Sequence, residues 1–217
     1  MNLAACIFDL DGTVVLDEHL YANAFRRVLK SLGVVEKRKS FHRGGIGVEE
    51  NWQEFIKSYD LNTKKSAKQL ARDTNQEYLK RLDDVKLNPG FSGFAEDLKS
   101  RGVLTALATS SVWEIADAVV QKLKLGDYFE CITTGDGVGR KKPHPEIFVI
   151  TAQKLGVEPA HCIVFEDSGA GVTAAHEAGM KVVGIERDKI QRKDIGSAEL
   201  IIKTFNDVSF GDLSKIN

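Results

Sequence analysis

Short apolar runs alternate with amphipathic stretches through the second half of this chain. From residue 103 onward, runs such as VLTALAT and CIVFED lie between stretches such as SVWEIADAVVQKLKL, whose apolar residues recur near the helical period. Strands and helices in this order form a parallel sheet with helices on both faces. The pattern predicts an α/β fold with a doubly wound (Rossmann-like) parallel sheet. Strands are expected at residues 3–9, 103–109, 130–133, 162–167 and 181–186, with 199–205 as a possible edge strand.

Residues 14–88 break this alternation. Three segments in this range, LYANAFRRVLKSLGV, VEENWQEFIKSY and SAKQLARDTNQEYLKRL, show helical patterns with no strand between them. The turn NPGF, in which Pro89 and Gly90 disfavour regular structure, marks the return to the α/β alternation. We therefore predict a helical insert at 14–88 and an α/β core formed by 1–13 and 89–217.

The composition is that of an ordinary globular protein with no general attraction for polyanions. Of the 217 residues, 42% are hydrophobic and 28% are charged. The formal net charge of -1 gives no field that favours nucleic acid or an anionic membrane, and we predict neither as a partner. The insert carries +4 and the rest of the chain -5. That split suits an anionic ligand between the two parts, although a solvated helical surface explains it about as well.

The chain is predicted to be cytoplasmic. Its N-terminus lacks a basic region and the first apolar run is broken at Asp9, so we expect neither a secretory signal nor a membrane-spanning stretch. Cys6, Cys131 and Cys162 lie within or beside apolar runs and are expected to be reduced, buried residues rather than a disulfide framework. No obligate protein partner is predicted.

Two pairs of acidic residues follow predicted strands. CIFDLDGTVV places Asp9 and Asp11 at the end of the first strand, where side chains two positions apart point the same way. Carboxylates this close repel each other and lose hydration on burial. A bound cation such as Mg²⁺ offsets both of these costs. Glu166 and Asp167 follow another strand in CIVFEDSGAG. Because the carboxyl ends of parallel strands meet at one edge of a sheet, both pairs are predicted to form one metal site.

A metal bound by carboxylates usually serves a phosphate, which needs further donors from the protein. LATSS places Thr109, Ser110 and Ser111 where a strand passes into a helix, whose free backbone amides suit an anion. GRKKPHPEIF offers Lys142, held by Pro143 just before a helix, as a cation able to neutralise phosphate charge. Thr109, Ser110 and Lys142 are the predicted phosphate-binding residues.

Each of these features also has a purely structural explanation. The Asp-Gly step of the first motif is on its own more often a simple turn than part of a catalytic site. Thr109 and Ser110 are about equally suited to capping the helix that follows them. Lys142 belongs to the basic run RKK, in which solvated charge is the usual arrangement, and only its place before proline favours it over Lys141.

Taken together and in this order, the motifs resemble those of the haloacid dehalogenase superfamily of phosphotransferases. The similarity is to the subgroup with an α-helical (C1) cap, which includes β-phosphoglucomutase and phosphoglycolate phosphatase. It covers almost the whole chain and rests on Asp-x-Asp-Gly-Thr, a strand-ending Thr, Lys-Pro and Glu-Asp at 9–13, 109, 142–143 and 166–167. The resemblance implies that the insert is a cap domain that closes over the site and excludes bulk water.

Carried over by position, the resemblance implies covalent catalysis. Asp9 would be the nucleophile that forms an aspartyl-phosphate. Asp11 would be the general acid for the leaving alcohol and then the base that activates water. Thr109, Ser110 and Lys142 would hold the phosphoryl oxygens together with nearby backbone amides.

The resemblance also implies an Mg²⁺ cofactor. The ion would be bound by the Asp9 carboxylate, the Asp11 backbone carbonyl and Asp167, with Glu166 binding directly or through water.

The second aspartate of the first motif excludes the dehalogenases of the superfamily, which lack an acid there. Phosphoryl transfer is therefore favoured.

The sequence departs from its relatives shortly after the first motif. Leu16 stands where many relatives have an Asp, and Tyr21 where the mutase has a His that helps to position the acid–base aspartate. Thr13 follows the phosphatase form of the motif, and Arg43 is only a loose match for the mutase's substrate arginine. We expect a phosphatase for a small phosphorylated metabolite, such as a sugar phosphate or phosphoglycolate. A sugar phosphomutase is the alternative hypothesis, and a non-catalytic module that binds phospho-ligands is the third.

Overall fold

Six parallel strands form the centre of the molecule. The structure, a computed structural model, describes residues 3–38, 41–189 and 191–216. The strands are β1 Ala5–Phe8, β2 Leu104–Ala108, β3 Cys131–Thr133, β4 Cys162–Glu166, β5 Lys181–Ile185 and β6 Leu200–Ile202. They lie in the order β3-β2-β1-β4-β5-β6, and every neighbouring pair is parallel. All the predicted strands are confirmed, including the edge strand, which is shorter than predicted.

Helices account for most of the remaining regular structure. They are α1 Glu18–Ser31, α2 Val48–Ser58, α3 Ala67–Leu79, α4 Phe91–Ser100, α5 Trp113–Leu123, α6 Glu146–Leu155, α7 Gly169–Glu177, α8 Gln191–Asp194 and α9 Phe210–Ile216. The first three form the predicted helical insert, and α4 to α9 alternate with the strands. In the described segments, no helix is both long and apolar enough to cross a membrane.

The sheet is buried on both faces, as a doubly wound fold requires. Strand β1 lies inside the sheet, where Phe8 is in register with Leu107 of β2 and Phe165 of β4. Phe8 stacks on Phe165 with ring centroids 4.8 Å apart, in an apolar cluster that includes Phe91 of α4. Ile7 points to the opposite face and belongs to a second cluster, formed with α6 and α7. The predicted α/β fold class is confirmed.

The helical insert has an apolar core of its own. Phe25 of α1, Trp52 and Phe55 of α2 and Leu70 of α3 are buried against one another. Trp52 Nε1 donates a hydrogen bond to Thr74 Oγ1 at 2.8 Å, so the polar atom of the indole is satisfied inside this core. The three predicted helices are confirmed. The division of the chain into two domains remains our proposal, which this separate core supports.

The two connections between insert and core lie side by side. Asn88 N donates to Val14 O at 2.9 Å, and Asn88 Nδ2 donates to the Thr13 carbonyl at 2.8 Å. Leu16 N likewise donates to Lys86 O at 2.7 Å. These hydrogen bonds hold the start of α1 close to the end of β1, where the first acidic motif lies.

Candidate active site

The first acidic motif forms a tight loop at the carboxyl edge of the sheet. Asp9 N continues the sheet by donating to Phe165 O at 3.0 Å, and the chain then turns at Gly12, whose φ is 81°. A Cβ atom at Gly12 would lie 2.2 Å from Asp167 Oδ2, so any larger residue would displace this carboxylate. Glycine therefore permits both the turn and the close approach of the second acidic motif.

Lys142 lies between two buried carboxylates. Its Nζ donates to Asp9 Oδ1 at 2.6 Å, to Glu166 Oε1 at 2.7 Å and to the Ala108 carbonyl at 3.2 Å. The lysine side chain is completely buried. Burial alone would lower the pKa of Lys142, but Asp9 and Glu166 raise this pKa above its usual range, so the amine stays charged. Lys142 thus separates the two carboxylates and neutralises part of their charge.

Glu166 has hydrogen-bond partners for both of its oxygens. Oε1 accepts from Lys142, and Oε2 accepts from the amide and the hydroxyl of Ser168 at 2.7 and 2.8 Å. A Cβ atom at Gly171 would lie 1.8 Å from Glu166 Oε1, so α7 packs its glycine directly against this carboxylate. These contacts place Glu166 behind Lys142, where it fixes the ammonium group. Both oxygens thus have partners in the protein, and ligation of a metal by Glu166, directly or through water, stays a prediction.

Hydroxyl groups hold the second aspartate of the motif. Ser111 Oγ donates to Asp11 Oδ2 at 2.6 Å, and Thr109 Oγ1 donates to the same oxygen at 3.2 Å. The Ser111 amide donates to Thr109 Oγ1 at 3.0 Å. Because Ser111 uses its proton for Asp11, the Tyr21 hydroxyl donates to Ser111 Oγ, 3.0 Å away. Thr109 thus contacts the predicted acid–base residue, and Tyr21 of α1 reaches the core through Ser111.

Asp17, a buried carboxyl group to which no sequence motif points, lies against Asp11. The Tyr78 hydroxyl donates to Asp17 Oδ2 at 2.5 Å, whereas Asp17 Oδ1 and Asp11 Oδ1 are buried without a hydrogen-bond partner among the described residues. Two neighbouring carboxylates repel each other when both are ionised, and a proton on one of them relieves this repulsion. Burial raises the pKa of Asp17 well above its usual range, and the charge of Asp11 raises it further. Asp17 should therefore take up a proton more readily than an ordinary aspartate.

Replacing Asp17 by Asn is expected to stabilise the protein at neutral pH. Because the folded state raises the pKa of Asp17, the stability that this group contributes is complete at acidic pH. It is lost as the pH rises from the ordinary aspartate pKa toward the raised value. Asn stays neutral, and its amide can donate to Asp11 and accept from Tyr78. In buffer with a chelator, we expect Asp17→Asn to melt about 2–4 °C above wild type at pH 8, the equivalent of one pKa unit, with a smaller difference at pH 5.

Thermal unfolding followed by circular dichroism between pH 5 and pH 8 measures this difference. Asp84→Asn is the matched control, because Asp84 is an exposed carboxylate paired with Arg81. That variant should follow the wild-type pH dependence. An Asp17→Asn protein that melts below wild type at pH 8 would show that Asp17 is ionised in the folded state and contributes stability as an anion.

The insert closes over this edge of the sheet. Ser110 Oγ donates to the Gly45 backbone carbonyl, in the loop before α2, at 2.5 Å. A cavity of about 40 Å³ lies between the two parts and is lined by Asp9, Asp11 and Ser110 from the core and by Gly45 from the insert. A cavity of this size holds only a few water molecules. Ser110, predicted to bind phosphate, thus ties the core to the insert in this closed arrangement.

The donors at this edge suit a hard divalent cation. Within residues 3–38, 41–189 and 191–216, no three or more His, Cys, Asp or Glu side chains cluster closely enough to hold a metal by themselves. Asp9 and Asp167 are buried, and burial raises the pKa of each well above its usual range, a penalty that a bound cation would reverse. Asp167 Oδ2 faces Gly12 and has no hydrogen-bond partner among the described residues. Two carboxylates with a backbone carbonyl and water fit the preferences of Mg²⁺.

Arg187 is the cation that faces Asp167. Its Nε lies 2.6 Å from Asp167 Oδ2, and its Nη1 lies 3.2 Å from Glu18 Oε2. His42 Nε2 lies 3.0 Å from the same Glu18 oxygen. These four side chains border a cleft of about 740 Å³. Arg187 therefore links the loop after β4 to the first turn of α1.

Some residues of the site gave a usable sequence signal that the motifs did not capture. Arg187 follows β5 by two residues, and polar residues just beyond a strand of a parallel sheet lie at the same edge as the other strand ends. Asp17 is a charged residue between the apolar end of the motif loop and α1, which is a weaker signal. Tyr78 gave none, because an aromatic residue at an apolar helical position usually belongs to the core.

Comparisons with known proteins show similarity across both the insert and the core. The model of the haloacid dehalogenase-like hydrolase family matches residues 3–179. The chain is 36% identical over 180 residues to a phosphorylated carbohydrates phosphatase of Thermotoga maritima, covering 82% of this chain and 83% of that one. It is 28% identical over 214 residues to β-phosphoglucomutase of Bacillus subtilis, covering 95% and 92%. The crystal structure of β-phosphoglucomutase from Clostridium difficile matches 99% of this chain and 96% of its own, with a TM-score of 0.87 and 26% identity.

Proposed function

The chain belongs to the haloacid dehalogenase-like hydrolases, and from this premise we propose that it is a Mg²⁺-dependent phosphatase of a small phosphorylated sugar or a phosphoglycolate-like metabolite. The observation that carries the proposal is the buried contact between Lys142 and Asp9, 2.6 Å long, at the carboxyl end of a strand inside the sheet. A lysine buried against one oxygen of a carboxylate is an arrangement suited to nucleophilic attack on an anionic substrate. The relative named as a phosphatase of phosphorylated carbohydrates supports the substrate class.

Asp9 is the proposed nucleophile. Lys142 holds Oδ1 of this carboxylate and leaves the second oxygen to attack phosphorus. Attack would form an aspartyl-phosphate as the bond from phosphorus to the sugar oxygen breaks. Water would then cleave the acyl phosphate, which releases inorganic phosphate and restores Asp9. Two such steps replace one difficult displacement.

The carboxylates of Asp9 and Asp167 and the Asp11 carbonyl would hold Mg²⁺, which when bound offsets the negative charge shared by the nucleophile and the phosphoryl group. A nucleophilic carboxylate must be ionised, yet burial raises the pKa of Asp9 and Lys142 opposes that rise only in part. The site therefore needs more positive charge than its lysine supplies. We propose that Glu166, bound to Lys142 and Ser168, positions the lysine instead of contacting the metal directly.

Asp11 is the proposed general acid and base. It would give a proton to the leaving sugar oxygen and later take one from the attacking water. Burial raises the pKa of Asp11, while hydrogen bonds from Ser111 and Thr109 oppose the rise. Because of this raised pKa, a larger fraction of Asp11 carries a proton near neutral pH than of an ordinary aspartate. The proton is needed for the leaving sugar oxygen. Thr109 fixes the same oxygen of Asp11 and so helps to aim it.

The helical insert would control access to the site. In the closed arrangement, the hydrogen bond between Ser110 and Gly45 leaves only a small cavity beside Asp9. A sugar phosphate needs far more room, so the loop that carries Gly45 must move away before the substrate enters. Release of this contact would also free the Ser110 hydroxyl for the predicted phosphate interaction. Closure afterwards would exclude bulk water during transfer to Asp9.

We also propose that the protein works in the cytoplasm. Cys6, Cys131 and Cys162 are free thiols in the described segments, and Cys6 and Cys162 are buried. Burial raises the pKa of all three thiols, so they are poor nucleophiles for disulfide exchange. Cysteines of this kind are typical of a reducing compartment.

A sugar phosphomutase is the second candidate, because the similarity to two β-phosphoglucomutases extends over nearly the whole chain. A mutase must return the phosphoryl group from the aspartate to a sugar before water attacks. Tyr21 stands where the resemblance implies a histidine that helps to position the acid–base aspartate of the mutase, and the Tyr21 hydroxyl is hydrogen-bonded to Ser111 Oγ. This fixed contact favours the phosphatase.

Phosphorus NMR of the protein with Mg²⁺ and a pool of sugar phosphates, phosphoglycolate and nucleoside monophosphates tests the proposal directly. We expect the signal of inorganic phosphate to grow as particular esters disappear, and both changes to stop when a chelator removes Mg²⁺. The esters that disappear identify the substrate.

The same spectra separate the other hypotheses. A new ester that forms without inorganic phosphate, and only after a sugar bisphosphate primer is added, would identify a mutase. Unchanged spectra, together with a rise in melting temperature on adding Mg²⁺ and beryllium fluoride, would instead identify a phospho-ligand binding module. Phosphate release that persists with the chelator would contradict the proposed metal dependence.

A further inference from the structure

Arg187 is placed where it competes with a cation. The guanidinium contacts Asp167 Oδ2, the carboxylate oxygen that also faces Gly12 and the first acidic motif. This oxygen is buried and accepts no hydrogen bond of good geometry among the described residues, so its contact with Arg187 at 2.6 Å is an ion pair without a well-aligned donor. An oxygen in this condition keeps its lone pairs available for a better-placed cation. The proposed metal would bind on this side of Asp167.

Arg187 has a second carboxylate to which it can remain attached. Its Nη1 lies 3.2 Å from Glu18 Oε2 in the first turn of α1. Burial raises the pKa of Glu18, but His42 and Arg187 lower this pKa below its usual range, so Glu18 stays anionic. A guanidinium that leaves Asp167 therefore keeps one ion pair. This lowers the free-energy cost of releasing Asp167 to a metal.

The space beside Arg187 allows this movement. The cleft of about 740 Å³ is lined by Asp167 and Arg187 from the core and by Glu18 and His42 from the insert. The arginine side chain retains 26% exposure, whereas the side chain of Asp167 retains 2%. The guanidinium can thus withdraw toward solvent while the carboxylate stays in place.

We propose that Arg187 is a built-in counter-cation that occupies the metal side of Asp167 and sets the affinity of the site for Mg²⁺. It neutralises the carboxylate when the metal is absent and yields Asp167 when the metal binds, while Glu18 retains it. This inference rests on the proposed function in one respect, namely that Asp167 is a metal ligand. It implies that Mg²⁺ binding breaks an ion pair within the core, between Arg187 and Asp167, and keeps the ion pair between Arg187 and Glu18 that links the core to the insert.

Titration calorimetry with MgCl₂, without any phosphorylated ligand, tests the proposal. In Arg187→Gln, Mg²⁺ no longer competes with the guanidinium, and we expect the Kd to fall about tenfold, which is modest for removing a full charge next to a buried carboxylate. Arg187→Lys keeps the positive charge but loses the forked guanidinium that contacts both Asp167 and Glu18. Its Kd for Mg²⁺ should lie between those of wild type and Arg187→Gln. Arg192→Gln is the matched control, because Arg192 pairs with Glu186 at an exposed position five residues along the chain, and its Kd should equal that of wild type.

A double-mutant cycle with Glu18 distinguishes competition from a structural role. Glu18→Gln removes the group that retains the displaced arginine, so the Kd for Mg²⁺ should rise about threefold. In the Arg187→Gln background, the same change should leave the Kd within about twofold, because no arginine remains to be retained. A merely structural role of Arg187 would give no such coupling.

The proposal is overturned if Arg187→Gln, folded as judged by its circular dichroism, binds Mg²⁺ with the wild-type affinity or more weakly. That result would show that Arg187 orients Asp167 instead of competing for it. Failure of the proposed function is a separate outcome: the Mg²⁺ affinities would follow the expected order, but no ester in the NMR experiment would be hydrolysed. Absence of Mg²⁺ binding in wild type and in all the variants would overturn both.

Discussion

Asp9→Asn is expected to reduce phosphate release by about 10⁴-fold or more while the protein remains folded. An amide oxygen is a poor nucleophile toward phosphorus, and its product could not be hydrolysed in the way that an acyl phosphate is. The side-chain volume is unchanged. Lys142 keeps its hydrogen bond to Glu166 and can still donate to the new amide oxygen, so the buried cation is not left without a carboxylate. The lost function would therefore not be a consequence of unfolding.

The measurement is initial-rate phosphate release, with the best ester from the NMR pool, at saturating Mg²⁺. Asp97→Asn provides the control, since Asp97 is an exposed carboxylate of α4 that pairs with Arg101, and its rate should match wild type. A phosphoenzyme trapped on the wild-type protein by rapid acid quenching should be absent from Asp9→Asn. If Asp9→Asn is folded, binds Mg²⁺ and still turns over at the wild-type rate, Asp9 is not the nucleophile.

The fold class could be predicted from local sequence patterns because each pattern fits only one stable structural arrangement. The apolar runs that end at Asp9 and Asp167 are too short for helices and too apolar for a half-exposed sheet, so only a parallel sheet covered on both faces could bury them. Periodicity does not show which strands are neighbours, and the order of the six strands was not predicted. The meeting of the strand ends was predicted, since it follows from parallel pairing in any order.

Features of the site that depend on three-dimensional neighbours were harder to predict. Glu166 is adjacent to Asp167 in sequence, yet the two side chains diverge, and Glu166 turns to Lys142 and Ser168. Adjacent residues at a strand end point to opposite sides, and this alternation could have predicted that the two carboxylates have different partners. The partner of Asp17, by contrast, is Tyr78, 61 residues away, and nothing in the local sequence connects them.

Carboxyl groups are in excess over cations at this edge of the sheet, and the excess explains how the site is organised. Lys142 is shared between Asp9 and Glu166, and Arg187 is shared between Asp167 and a carboxylate of the insert. Asp9, Glu166 and Asp167 thus each have a cation that they must share. A proton on one carboxyl group and a divalent cation on others are the two remedies for such an excess. The proposed chemistry uses both.

Lys142→Met is expected to remove activity and to destabilise the fold by about 3–5 kcal/mol. Met has nearly the volume of Lys and avoids a cavity, but Asp9 and Glu166 would then lie close together, buried and without their cation. Burial already raises the pKa of Asp9, and loss of the Lys142 charge, which opposes that rise, would raise this pKa further in the folded state. The destabilisation should therefore be largest at alkaline pH and shrink as the pH falls and Asp9 becomes protonated.

Urea unfolding at pH 8 and pH 5.5 measures this difference, and Lys141→Met is the matched control. Lys141 is partly exposed and donates to the Gly135 carbonyl, so its loss should change stability by less than about 1 kcal/mol at either pH. The control also tests the choice of Lys142 over its neighbour. Similar losses in both variants would contradict the assignment of Lys142 as the cation of the site.

A second substitution separates the structural role of Lys142 from its chemical role. The double variant Lys142→Met, Glu166→Gln keeps only Asp9 as an ionisable group among Asp9, Lys142 and Glu166. Much of the stability lost at pH 8 should therefore return. Activity should not return, because no lysine would then lie beside Asp9 to neutralise the charge of the phosphoryl group. If activity recovers with stability, the lysine serves only to hold the fold together, and phosphate would have to be bound by the hydroxyl and amide groups after β2.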